Sequence, residues 1–137
     1  MKYLGKFGEY RVLACLLERD VEAYQAIKIN QTGYDLTAVL NSSKVVRIQV
    51  KSTELDNKST NNSICVGEGF DFLVIVVFCG NSSAEFYVMS RCEALKCKAS
   101  RTKLSLTKKN ESCEKGGYRV TDDIAKYKDK WDKIKNA

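Results

Sequence analysis

Residues 33–53 read GYDLTAVLNSSKVVRIQVKST, and they describe two strands joined by a loop. Residues 35–40 and 45–51 are rich in β-branched and alternating apolar positions, and Asn41-Ser42-Ser43-Lys44 between them is a run of turn formers. Side chains alternate along a strand, so Leu36, Ala38 and Leu40 share one face of the first strand, and Val46, Ile48 and Val50 share one face of the second. For both apolar rows to bury together, paired residue numbers must add to an even number, as in 36 with 50 and 38 with 48. A slip of one residue would bury Gln49 and Lys51 and expose the aliphatic row. The expected register places Asp35, Gln49 and Lys51 together on the opposite face, with Thr37 and Arg47 beside them.

Outward from this hairpin, residues 2–19 read as a helix with Leu4, Phe7, Leu13, Leu16 and Leu17 as its apolar stripe. Glu9 falls at the edge of that stripe. It reads either as a surface partner of Lys6 or as a carboxylate held at the rim of the core, facing charges or a metal. Residues 23–29 read as a first strand carrying Ile27 and Ile29, followed by a turn at Asn30-Gln31-Thr32-Gly33. Residues 52–63, with one aliphatic side chain in twelve, read as a loop placed to close over the candidate site.

The run FDFLVIVVFC at 70–79 is the signature of a strand buried on both faces, which requires helices on both sides of its sheet. A short strand at Ile64-Cys65-Val66 precedes it, and residues 84–89 form the next strand after a Gly80 turn. Ser90 and Glu93 make a capping box for a helix reaching Ala99. Residues 101–107 are expected as an edge strand and 108–117 as loop. Thr121-Asp122-Asp123 caps a final helix with Ile124, Tyr127, Trp131 and Ile134 on one stripe. With no repeat and no linker, residues 1–137 read as a single α/β domain built on a mixed central sheet flanked by helices.

Charge is unevenly distributed. Residues 91–119 hold nine Lys/Arg against three Asp/Glu, whereas residues 1–90 hold nine against ten. Such a basic segment fits a phosphate-bearing polyanion, and equally a solvated lysine-rich surface. No histidine is present, which removes the usual general base and argues against serine or cysteine hydrolase chemistry. Six cysteines show no CxxC spacing, so they read as small apolar fillers rather than zinc ligands. The opening MKYLGKFGEYRV has no uninterrupted apolar run, and no stretch is long enough to span a bilayer. A cytoplasmic protein with reduced thiols and no membrane partner is therefore expected.

Oxygen donors and a lysine on one sheet face suit metal-assisted phosphodiester hydrolysis. The Asp35 carboxylate, the Gln49 side-chain oxygen and a backbone carbonyl at Val50 form a donor set for Mg2+, with Mn2+ as substitute. Lys51, two residues beyond Gln49, points to the same side and can offset charge growing on a phosphate.

These residues resemble the PD-(D/E)XK nuclease superfamily, whose pattern is a helical Glu, an Asp at a strand start and (D/E)XK on the next strand. In that resemblance Glu9 corresponds to the helical acid, Asp35 to the Asp, Gln49 to the acid of the second motif and Lys51 to its lysine. Tyr34 stands where the pattern has proline, and Gln49 replaces an acid, removing one negative charge from the metal site. The specific motifs occupy positions 9–53. The likeness is closest to Holliday-junction-resolvase-like members and to group I intron-associated homing endonucleases, where Gln-Val-Lys followed by Ser and a late Tyr-x-x-x-Trp, here Tyr127 and Trp131, look familiar.

The resemblance implies a restriction-endonuclease-like three-layer core and a Mg2+-dependent DNA endonuclease. It implies Glu9 as a further metal ligand, and a branched or site-specific duplex as substrate. Arg47, Lys96, Lys98, Arg101 and Lys103 are candidates for DNA contact, and a homodimer or homotetramer is expected because two strand breaks need two active sites. The rival expectations are a nucleic-acid-binding module that keeps the fold without turnover, and a small protein–protein interaction domain.

Overall fold

In the computed structural model, which describes residues 1–26, 33–41, 43–55, 64–80, 83–97, 103–109 and 117–137, the chain runs as follows. Helix α1 (Leu4–Glu18) leads into β1 (Glu22–Gln25), β2 (Leu36–Val39), β3 (Val45–Glu54), β4 (Ile64–Cys65), β5 (Phe72–Phe78) and β6 (Ala84–Ser90). Then come α2 (Arg91–Lys96), β7 (Lys103–Leu104), β8 (Thr107–Lys109), β9 (Tyr118–Val120), α3 (Asp122–Ala125) and α4 (Asp132–Lys135).

The main sheet has the order β1-β2-β3-β5-β6. Its β3–β5 pair is parallel and the other pairs are antiparallel, so the sheet is mixed. All seven residues of β5 are buried, as its unbroken apolar run requires. Phe72, Val74, Val76 and Phe78 enter a first core with Val12 and Leu16 of α1 and with Trp131 and Ile134. Leu73, Ile75 and Val77 enter a second core with Ala94 of α2, Leu104, Leu106 and Ile124. Helices thus cover both faces.

The hairpin keeps the expected parity but not the expected partners. Leu36 pairs with Ile48 and Ala38 with Val46, two residues from the pairing that hydrophobicity alone suggests. The cause lies in the turn. Leu40 N–H donates to Lys44 O at 2.8 Å, and Ser43, at φ +63°, closes a short loop that the aliphatic pattern does not encode.

Other expectations are corrected in the same way. On α1, Leu16 is buried as expected, but Leu17 is 52% exposed, and Gly8 and Val12 are buried in addition. Residues 52–54 continue β3 rather than starting a loop. The strand expected at 23–29 spans Glu22–Gln25, with Ile27 and Ile29 outside the described residues, as is Ala99 beyond α2. The segment expected as one edge strand at 101–107 gives, among the described residues, two short strands in separate two-stranded sheets: β7 pairs with β4, β8 pairs with β9, and Leu104 and Leu106 are fully buried. Lys108 and Lys109 belong to β8 rather than to a loop.

The single final helix is two helices. Between them the backbone pairs with the outer edge of β6, through Val88 N–H to Tyr127 O at 2.9 Å and Asp129 N–H to Phe86 O at 2.8 Å. The stripe therefore divides, with Ile124 and Tyr127 in the second core and Trp131 and Ile134 in the first. None of the five described cysteines forms a disulfide among the described residues. None is fully buried: Cys65 and Cys92 are exposed, and Cys15, Cys79 and Cys97 pack at the rims of the cores. No helix among the described residues is long and apolar enough to cross a membrane.

Candidate active site

The site begins where β2 parts from β3. Gly33, at φ +90°, turns the chain against the backbone of Glu68, where a Cβ would overlap the Glu68 carbonyl oxygen. Asp35 N–H then donates to Ile48 O at 2.8 Å, although Ile48 is already the partner of Leu36. Two residues of the incoming chain thus meet one residue of β3, a bulge-like step of the kind that re-aims a side chain. The Asp35 carboxylate turns toward β3 and accepts a hydrogen bond from Val50 N–H at 2.8 Å. Val50 lies beyond the last β2–β3 pair, so this oxygen replaces the absent ladder carbonyl. Had Leu36 paired with Val50, the Val50 amide would have lain within the ladder.

Glu9 approaches from α1. Its side chain is 17% exposed, bonded to Lys6 at 3.1 Å, and within hydrogen-bonding reach of the Asp35 carboxylate. Burial pushes the Glu9 carboxyl above the usual glutamate range, with the neighbouring Asp35 adding to the rise and Lys6 opposing it. Lys6 is in turn held charged to higher pH by its hydrogen bond to Glu9. Both sequence readings of Glu9 are therefore present together: it pairs with Lys6 and also meets Asp35.

Gln49 and Lys51 flank Val50 on β3, one strand step to either side of the amide that Asp35 accepts from. Both lie on the face of the second core, paired across the sheet with Leu73 and Ile75. Asp35 sits instead in the fork at the strand edge, with its carboxylate on the Val50 amide, so the three side chains do not share a single face as the alternation suggested. Gln49 is 9% exposed, and its Oε1 is buried without a hydrogen-bond partner. A buried amide oxygen left unpaired costs about 1–3 kcal/mol, which makes it a ready donor to a cation. Lys51 is half-buried and forms no ion pair among the described residues. No three His, Cys, Asp or Glu side chains cluster among the described residues, so two carboxylates, an amide oxygen and the Val50 carbonyl are the oxygen donors available here.

Arg47 is exposed and pairs across the hairpin with Thr37. Its guanidinium lies 5.9 Å from the centre of the Tyr34 ring and 3.5 Å from Asp71. Asp71 also accepts from Arg47 N–H at 2.8 Å and returns a bond to Arg47 O at 2.8 Å, so it locks the start of β5 to β3. Lys96 is exposed at the end of α2. Lys98 and Arg101 lie outside the described residues, as does the Lys103 side chain. Elsewhere in the basic segment, Lys108 and Arg119 share the Asp122 carboxylate at 3.3 and 2.8 Å.

The hairpin reading passed over Tyr34 as a support for Arg47, and over Gly8 and Ser52 beneath Glu9. A glycine inside a helical stretch is the one sequence signal for the latter pair, and Gly5 carries the same signal, so only the packing separates them.

The fold aligns over 99% of this chain and 93% of the chain of a bacterial homing endonuclease, I-Ssp6803I, with a TM-score of 0.69 at 17% sequence identity. No protein-family model matches the sequence, and no curated protein does. The mixed sheet with helices on both faces is thus an arrangement shared with that endonuclease.

Proposed function

We propose that the protein is a metal-dependent DNA endonuclease of the PD-(D/E)XK type, acting through Asp35, Gln49, Lys51 and Glu9. The observation that carries this reading is the meeting of the Glu9 and Asp35 carboxylates beside Val50, one residue from an unpartnered Gln49 oxygen. Two carboxylates in contact repel unless a proton or a cation joins them, and a buried amide oxygen without a donor adds a third ligand. A neighbour of matching fold that is a homing endonuclease supports DNA as the partner.

Glu9, Asp35, Gln49 Oε1 and the Val50 carbonyl would hold Mg2+, or Mn2+ in its place. When bound, the ion supplies positive charge to the scissile phosphate and acidifies an attacking water. The residues of the chain do the rest. Val50 N–H fixes the Asp35 carboxylate, Lys6 restrains Glu9, and the Lys51 ammonium offsets charge growing on the phosphate. Arg47, braced by Asp71 and Tyr34, and Lys96 would meet the DNA backbone, together with Lys98, Arg101 and Lys103. Cleavage of both strands of a branched or site-specific duplex calls for two copies of the site, hence a homodimer or homotetramer.

The test is nicking of supercoiled, linear and branched DNA in Mg2+ or Mn2+. Lys51→Ala should bind the same DNA while cutting on the order of 100-fold more slowly. Absence of cutting on every substrate, with Lys51→Ala indistinguishable from the parent, would refute the reading. One observation favours a second reading, a DNA-binding module without turnover: the neutral amide of Gln49 leaves the site a charge short of a full acidic set. Mn2+ affinity that disappears in Asp35→Asn separates the enzyme from that alternative.

A further inference from the structure

We infer that Gly8 is a positioning residue of the nuclease site, and that its missing side chain lets α1 lie close enough to β3 for Glu9 to join Asp35. This rests on the metal-site reading above and adds the element that assembles it.

Gly8 is buried on the face of α1 that packs against β3. A Cβ placed there would overlap Ser52 Oγ, would lie 3.0 Å from Ser52 Cβ, and would touch Val76 Cγ2 at 3.8 Å. Turning the Ser52 hydroxyl away relieves the first contact but not the second, so a methyl group at position 8 asks helix and strand to give by a few tenths of an ångström. Ser52 Oγ is itself buried without a hydrogen-bond partner, so no polar bond of this hydroxyl explains why it lies there; it fits because Gly8 leaves the room.

The residues next to this contact belong to the site on both sides. Glu9 follows Gly8 on the helix, and Lys51 precedes Ser52 on the strand. A separation imposed at Gly8–Ser52 is therefore delivered directly to the distance between Glu9 and the β2–β3 fork. Gly5 provides the internal comparison. It lies one turn earlier on the same helix, and a Cβ there would meet nothing within 4 Å. A glycine inside a helix carries a conformational cost at both positions, but only at Gly8 does the packing require it.

The experiment measures Mn2+ affinity by calorimetry on the full chain, with folding followed by circular dichroism. Gly8→Ala should weaken Mn2+ binding at least tenfold, Gly5→Ala should leave it unchanged, and Gly8→Ala combined with Ser52→Gly should return it to within about threefold of the parent. If Gly8→Ala fails to fold, the inference stands only if adding Ser52→Gly restores both the fold and Mn2+ affinity. A folded Gly8→Ala with parental affinity overturns the positioning role, as does a loss that Ser52→Gly does not repair. Failure of the parent itself to bind Mn2+ overturns the metal-site reading instead.

Discussion

At Asp35 two requirements fall on one carboxylate: it completes the hydrogen bonding of Val50 N–H, and it stands against Glu9. Folding raises the Glu9 pKa, chiefly through burial and then through Asp35, so the folded chain holds that proton more tightly than the unfolded chain. The resulting stabilisation is fully present below the ordinary glutamate value of 4.5 and is lost as pH rises through the raised value in the folded protein. In metal-free buffer, denaturant unfolding at a series of pH values should show Glu9→Gln gaining on the parent as pH increases across that window. A difference that stays flat with pH would contradict the pairing. Strand alternation was enough to place Gln49 and Lys51 on one face of β3. The position of Asp35 in the fork was not legible, because it depends on the left-handed Ser43 turn and on two residues meeting Ile48, neither of which leaves a hydrophobic signature.

Among the elements, those governed by local chemistry were the readable ones. The Ser90 capping box forms as its spacing implies: Glu93 N–H donates to Ser90 Oγ at 3.2 Å, and Ser90 N–H donates to Glu93 Oε1 at 2.9 Å. Glu93 also accepts from Lys133 at 2.8 Å, which ties α2 to α4. Ser90→Ala should therefore cost about 1 kcal/mol, read as a lower urea midpoint at unchanged slope. A midpoint equal to that of the parent would mean that the cap contributes nothing. The terminal helix shows the opposite case. Ile124, Tyr127, Trp131 and Ile134 keep helical spacing, yet the chain leaves the helix between them to pair with the exposed edge of β6. Edge pairing is a tertiary demand, and periodicity alone does not reveal it. Gly8 belongs to the same class, since its reason is the strand packed against it.

For the molecule as a whole, β5 divides two cores, and the chain after β6 serves both. That is why the basic segment 91–119 is more than a charged surface: Ala94, Leu104 and Leu106 within it are fully buried. The composition revealed its charge, while the lysines on either side of Leu104 and Leu106 hid its packing role. Trp131 closes the first core, its ring 5.6 Å from that of Phe86 and beneath the Arg19 guanidinium at 5.0 Å. Trp131→Ala should destabilise the fold by about 3–5 kcal/mol in urea unfolding, whereas a loss below 1 kcal/mol would mean that the tail does not help to hold the core. The central claim concerns the site this scaffold presents, and its most direct test is the cleavage rate of Asp35→Asn on the best DNA substrate of the parent in Mg2+. The amide oxygen can still accept from Val50 N–H, so the variant should stay folded. The account predicts intact DNA binding with cutting reduced on the order of 1,000-fold or more, and cutting at the parental rate would contradict it.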